Sequence, residues 1–325
     1  MRNRLSDTQS SFLLGYTRRP SPRPDPPMRP CLLAVALSAT LAACATTAPV
    51  APPANPDAPV ASPAPAGPAA DDSLNATAWF QTAAERDLVY TEVYRAAGRQ
   101  LRTALADKAW DALPKEDRNT PVKGLKPAII VDVDETVLDN APNNVRQIRE
   151  GRGFDEAKWG EWVAQRAAKP LPGAVEFLQS AAKQGVTVFY ITNRDASLTE
   201  ATIANLRSAG FPVASDDQVL GLGTVVDGCE QEGSEKSCRR QLVGRTHRVV
   251  MQFGDQVGDF VQILGNTVEG RKAAIAPYAD WIGERWWVLP NPMYGSWEPA
   301  LFDNNWRQPE EARRAAKEAA LDDAR

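Results

Sequence analysis

The run Ala128-Ile129-Ile130-Val131, preceded by Lys126-Pro127 and stopped by Asp132-Val133-Asp134-Glu135-Thr136, constrains this chain more than any other feature. Continuous apolar residues rich in β-branching read as a strand buried on both faces, and such strands belong to parallel sheets. Similar runs follow at residues 186–191, 249–253 and 286–289, with helical stretches between them at 174–184 and 198–209. Strands alternating with helices predict an α/β fold, a parallel sheet covered on both faces to make three layers. Upstream, Trp79, Ala83, Ala84, Leu88, Tyr90, Val93, Tyr94, Leu101 and Leu105 recur at steps of three and four. That spacing predicts an N-terminal helical segment, about 73–120, packed on the core.

Ligands of parallel sheets bind beyond the carboxyl ends of the strands. Three strand ends here carry polar groups: Asp132 and Asp134 after the first, Thr192-Asn193-Arg194 after the second, and Gly254-Asp255-Gln256-Val257-Gly258-Asp259 after the third. Two carboxylates one residue apart at the end of an apolar strand are costly to bury unless something pairs with them. The plainer alternative for Asp132, Asp134 and Asp255 is a set of solvated strand-end carboxylates. His247, the one histidine, excludes a mechanism with two catalytic histidines and a zinc site built on two or more. It reads as an edge residue before a strand. The formal charge of −4 and the absence of a Lys/Arg cluster in the body of the chain argue against nucleic acid as a partner.

The N-terminal part reads as an address. In residues 28–44 (MRPCLLAVALSATLAAC), Arg29 gives a positive start, an apolar stretch follows, and Leu41-Ala42-Ala43-Cys44 looks like a bacterial lipobox. Residues 28–43 are expected to leave as a signal peptide and Cys44 to take the lipid; a buried helix is the alternative. The Ala/Pro-rich stretch 44–72 reads as an extended tether. Residues 1–27 fit neither part and read as a non-native upstream extension. Losing the leader moves the formal charge from −4 to −8. Cys229 and Cys238, nine apart in a Gly/Glu/Ser-rich loop, read first as a disulfide in an oxidising compartment, with free thiols or a metal site as alternatives. Residues 307–325 read as a charged tail, a solvated helix or a frayed end.

The DxDxT, the threonine at the second strand end and the GDxxxD together resemble the haloacid dehalogenase superfamily of phosphotransferases. Residues 132–140 (DVDETVLDN), 171–177 (LPGAVEF), 190–194 (YITNR), 254–260 (GDQVGDF) and 289–298 (LPNPMYGSWE) narrow the resemblance to class C acid phosphatases, bacterial surface lipoproteins also described as 5′-nucleotidases. The resemblance implies a Rossmann-like core over 73–306 with a small helical cap at about 141–170. It implies Asp132 as nucleophile and Asp134 as general acid and base. Mg2+ would be held by Asp132, the backbone carbonyl of Asp134 and Asp255, with Asp259 orienting bound water. Thr192 and the Asn193 N–H would hold phosphoryl oxygens. Lys236, in a K-x-x-R pattern, would neutralise nucleophile and phosphate, or else be a loop charge. Trp159 and Tyr294 would sandwich the base of a nucleoside 5′-monophosphate, with cap packing as the alternative for Trp159; Trp162, Trp286, Trp287 and Trp297 read as packing. The implied protein is a lipid-anchored acid phosphatase of the cell envelope, leaning to the outer membrane, and a homodimer is open. Two rivals stand beside it: a phosphotransferase to alcohol acceptors, and a non-catalytic adhesin or haem-carrying lipoprotein.

Overall fold

The computed structural model describes residues 71–324; the leader, Cys44 and nearly all of the tether lie outside them. The described chain runs α1 (Leu74–Thr82), α2 (Ala84–Ala106), β1 (Lys126–Val131), β2 (Leu138–Asp139), α3 (Ala141–Glu150), α4 (Glu156–Ala164), β3 (Lys169–Pro170), α5 (Ala174–Lys183), β4 (Thr187–Asp195), α6 (Thr199–Ser208), β5 (Val219–Leu222), α7 (Ser237–Thr246), β6 (His247–Gly254), α8 (Val268–Ile275), β7 (Trp286–Val288) and α9 (Glu310–Ala319). Among these residues no helix is long and apolar enough to cross a membrane.

Five strands form one parallel sheet in the order β5-β4-β1-β6-β7. The chain builds outward from β1 in one direction through β4 and β5, then returns to place β6 and β7 on the other side. The reversal falls between β1 and β6, and the crevice at such a reversal is where open α/β sheets hold ligands. Alternation along the strands sorts the core into two faces. Ile129 and Val131 of β1 join Val188 and Tyr190 of β4 in one cluster with α2, α5 and α6. Ala128, Ile130 and Ile191 face the other, with Val243 of α7 and Trp286 of β7. Val250 is the extra residue of a bulge, since Ala128 pairs with Val249 and Ile129 with Met251.

In the stretch 141–170, where a cap is expected, α3 and α4 lie between β2 and β3. These two short strands pair antiparallel, Leu138 with Pro170 and Asp139 with Lys169. Helix α3 ends on Gly151 in the left-handed region, and α4 starts on Asp155, whose carboxylate accepts the Lys158 N–H at 2.8 Å.

The structure departs from the sequence reading in four places. The N-terminal helical segment stops at Ala106, well short of 120; beyond it come a loop and one 3-10 turn. On that segment Leu88 and Trp79 face outward, while Tyr90, Tyr94, Ala97, Leu101 and Ala104 make the buried stripe. Strand β4 continues through Thr192, Asn193 and Arg194, with a register irregularity between Ile191 and Asp195. Strand β5 was not anticipated, because Val-Leu-Gly-Leu is short and broken by glycine. In the tail, α9 has no buried residue, in keeping with the solvated-helix reading, and its charges meet the body where Arg314 and Lys317 pair with Asp72 and Lys317 with Glu298 at 2.6 Å.

Candidate active site

Asp132 follows β1 and Asp255 follows β6, so the pairing of these strands brings the two carboxylates together. The Asp132 N–H donates to the Phe253 carbonyl at 3.0 Å, extending the ladder by one bond. Carboxylate oxygens of Asp132, Asp255 and Asp259 all lie within 4.8 Å of one another. The Thr136 hydroxyl sits 3.1 Å from Asp132 Oδ2 and 3.2 Å from Asp255 Oδ1, one proton between two acceptors. Lys236 Nζ donates to Asp132 Oδ1 at 2.5 Å and to Asp259 Oδ1 at 2.7 Å. Asp255 Oδ2 accepts from Gln256 Nε2 at 2.8 Å and Asn291 Nδ2 at 2.9 Å. Gly254 leaves room for this fold-back: a Cβ there would lie 2.3 Å from the Asp259 side chain.

Burial pushes the Asp132 carboxyl well above the usual range, against the pull of Lys236. Burial and then Asp259 push Asp255 up to about 6. Burial works against the Lys236 ammonium, but Asp132 and Asp259 outweigh it and raise its pKa. Of the three clustered carboxylates, Asp132 and Asp259 share one ammonium and Asp255 is bonded to no cation, so acidic groups outnumber the ammonium. An all-oxygen donor set with that surplus fits a hard divalent cation.

Asp134 takes a different environment. Its Oδ1 accepts from Arg194 Nε at 2.9 Å, Arg194 Nη2 at 2.8 Å and Asn140 Nδ2 at 2.8 Å. Its Oδ2 accepts from the Thr192 hydroxyl at 3.2 Å. Thr192 is buried; its carbonyl accepts from Arg239 Nη1 at 2.5 Å, and Arg239 Nη2 reaches Asn193 Oδ1 at 2.8 Å. Between Asp134 and Thr136 the backbone turns sharply, with Glu135 at φ +54°. Two tyrosines of α2 fix this turn from below: Tyr90 donates to the Glu135 carbonyl and Tyr94 to the Thr136 carbonyl, the latter at 2.8 Å.

Cys229 and Cys238 are disulfide-bonded. Lys236 lies inside that loop and precedes α7, whose Arg240 pairs with buried Asp117 at 2.5 Å and donates to the Gly258 carbonyl at 2.9 Å. The loop carrying Lys236 is thus tied both to the segment after α2 and to the turn carrying Asp259.

The two aromatic candidates flank the site. Trp159 of α4 lies under the Arg194 guanidinium, 5.5 Å from ring centroid to Cζ, and 6.4 Å from the Phe154 ring. The Tyr294 carbonyl accepts from Gln256 Nε2 at 3.4 Å, and its N–H reaches Asn291 Oδ1 at 3.4 Å. Both partners also hold Asp255. Trp162, Trp286 and Trp287 are buried, and half-buried His247 sits edge-on to Phe189 at the start of β6.

Sequence reasoning missed Arg194, Asn140, Asn291 and the α2 tyrosines. Arg194 stood in the quoted YITNR and Asn140 in DVDETVLDN, so both lay inside motifs already singled out. Asn291 stood in LPNPMYG; nothing local marks Tyr90 or Tyr94, which serve backbone carbonyls more than forty residues away.

A family model described as "HAD superfamily, subfamily IIIB (Acid phosphatase)" matches residues 69–297. The class C acid phosphatase from Bacillus anthracis is similar at 34% identity and a TM-score of 0.66, over 77% of this chain and 96% of that one. The same enzyme with tungstate bound matches at 35% identity, with the same TM-score and coverage. Acid phosphatase 1 of Solanum lycopersicum is 31% identical over 51% of this chain and 57% of its own length. The stem 31 kDa glycoprotein of Glycine max is 28% identical over 51% of this chain and 58% of its own. The chain therefore spans little more than half the length of these plant proteins.

Proposed function

The chain belongs to the acid phosphatase family of HAD subfamily IIIB, and from that we propose that it hydrolyses phosphomonoesters through an aspartyl-phosphate. The observation that carries this reading is the buried Lys236–Asp132 pair among Asp255 and Asp259, at the crevice between β1 and β6. A mere binding protein has no need of a desolvated carboxylate aimed beside a second, separately held aspartate. In this reading Asp132 attacks phosphorus while the ester oxygen leaves with its electron pair and takes a proton from Asp134. Asp134 then takes a proton from the water that attacks the same phosphorus, freeing phosphate and restoring Asp132. Lys236 balances the charge of nucleophile and phosphate, and Thr192 with the Asn193 N–H binds phosphoryl oxygens. Asp132, Asp255 and the Asp134 backbone carbonyl would hold Mg2+, with Asp259 behind them. When bound it offsets negative charge on the phosphoryl group. Tungstate, seen in the Bacillus enzyme, is an oxyanion of the same shape class.

Trp159 and Tyr294 support nucleoside 5′-monophosphates as preferred substrates, because base stacking tolerates any base. Cys44 and the tether support a lipid-anchored protein of the bacterial envelope, with the outer membrane favoured. Self-association into a homodimer belongs to the same reading and is measured by light scattering. The test of the activity is phosphate release from nucleotides, sugar phosphates and aryl phosphates, with Mg2+ and with EDTA, by the parent and by Asp132→Asn. Loss of several orders of magnitude in the variant is expected. More than a few per cent of parental turnover would rule out the aspartyl-phosphate.

A further inference from the structure

Asp134 is bonded unevenly. A carboxylate oxygen offers two lone pairs, and Oδ1 already takes three N–H donors at 2.8–2.9 Å, two from Arg194 and one from Asn140. Oδ2 has only the Thr192 hydroxyl at 3.2 Å and a long 3.3 Å contact to Arg194 Nε. Arg194 cannot drift from this pose. It is 2% exposed, its Nη1 donates to Thr202 Oγ1 at 3.3 Å, and its Nη2 also reaches Asn140 Oδ1 at 3.2 Å. The same Asn140 oxygen accepts the indole N–H of Trp162 at 2.8 Å, and Trp162 belongs to the cap helix α4. The clamp on Asp134 is therefore built partly from the core strand β4 and partly from the cap.

We infer that Arg194 is a positioning residue for the leaving-group step. By occupying Oδ1 together with Asn140 it leaves Oδ2 as the oxygen that gives up the proton, and the cap residue Trp162 holds the clamp in register. The inference rests on the reading of Asp134 as general acid and goes beyond it in naming the oxygen and the residues that present it. The step balances simply: the phosphorus–oxygen bond breaks, the leaving oxygen keeps the electron pair, and the proton on Oδ2 moves to it. A fixed donor oxygen matters most when that leaving oxygen is a poor one.

The experiment compares kcat/KM, which reports events through leaving-group departure, on an alkyl phosphate such as a nucleoside 5′-monophosphate and on 4-nitrophenyl phosphate. A nitrophenolate departs without help from an acid. Arg194→Lys and Arg194→Gln are expected to lose about 100-fold on the alkyl ester and less than about tenfold on the aryl ester. Trp162→Phe, which keeps an aromatic ring in the cap but loses the N–H and some volume, is expected to show a smaller split of the same sign. Equal losses on both substrates in the Arg194 variants, with no split in Trp162→Phe, would make these residues merely structural and overturn the inference. Asp134→Asn, measured on the same pair, separates the two levels. If it shows no split, the acid assignment itself is wrong. If it shows a split and the Arg194 variants do not, the acid stands and the positioning role falls.

Discussion

Lys236 Nζ stands 2.5 Å from Asp132 Oδ1, a contact between residues 104 apart in sequence, and both side chains are buried. The same ammonium bonds Asp259 at 2.7 Å. One cation thus serves two carboxylates from two different strand ends, and its removal would leave both desolvated.

Lys236→Met should therefore cost the metal-free protein about 3–5 kcal/mol, the usual penalty for stranding a buried charge. A divalent cation would take over part of the lost compensation, so added Mg2+ should raise the melting temperature of the variant more than that of the parent. Thermal melts with and without Mg2+ decide it; identical shifts in both proteins would mean that the ammonium and the cation do not share these carboxylates.

The Asp255 carboxyl, pushed up to about 6, sets a second expectation. Its folded-state pKa lies above the ordinary 3.8, so the metal-free protein loses stability from this group as pH rises from 3.8 to about 6. A cation must displace the same proton. Affinity for Mg2+ should weaken as pH falls through about 6, as proton release by a ligand requires. Titration calorimetry across that range reads the slope, and affinity independent of pH would show that Asp255 is not a ligand.

Trp159→Ala or Tyr294→Ala should weaken nucleotide binding by about 1–3 kcal/mol for each stack lost. A small aryl or sugar phosphate should feel much less. Equal losses on all substrates would mean that these rings support the cap and the Asn291 turn and do not select a base.

The Cys229–Cys238 bond closes a short loop, and the chain-entropy model gives such a loop about 2–3 kcal/mol of global stabilisation. Its local effect on Lys236 should be larger in kinetic terms. A Cys229→Ser/Cys238→Ser double variant should raise KM or lower kcat by a greater factor than its modest drop in melting temperature implies. Unchanged kinetics with a lowered melting temperature would assign the bond to the fold alone.

The strand ends at Asp132 and Asp255 were legible because a buried parallel strand is a continuous apolar run, and a carboxylate at its end has few reasons to be there. The cap was legible only through the family resemblance; its boundary became physical with the Leu138–Pro170 and Asp139–Lys169 pairing. Partners of Asp134 were not legible. Arg194 lies sixty residues away, and an ion pair between side chains carries no periodic trace in either segment. The end of α2 at Ala106 was missed because the residues after it are held by Asp117 and Arg240, a tertiary contact that no local propensity announces. The helix of the tail was legible in its charges; that Asp72 and Glu298 receive two of them was not, since such pairs carry no local trace.

The two-rung ladder between β2 and β3 has a consequence for how such enzymes diversify. Because it brings the start and finish of the cap side by side, the residues between Asn140 and Lys169 can be lengthened, shortened or exchanged while Asn140 keeps its bond to Asp134. The cap is in that sense a cassette, tied to the core by Asn140 on Asp134, by Arg194 over Trp159 and by Ala168 on Asn205. A transplanted cap that keeps a donor for Asn140 would inherit the chemistry and bring its own choice of substrate; one that lacks it would bring the choice and blunt the acid.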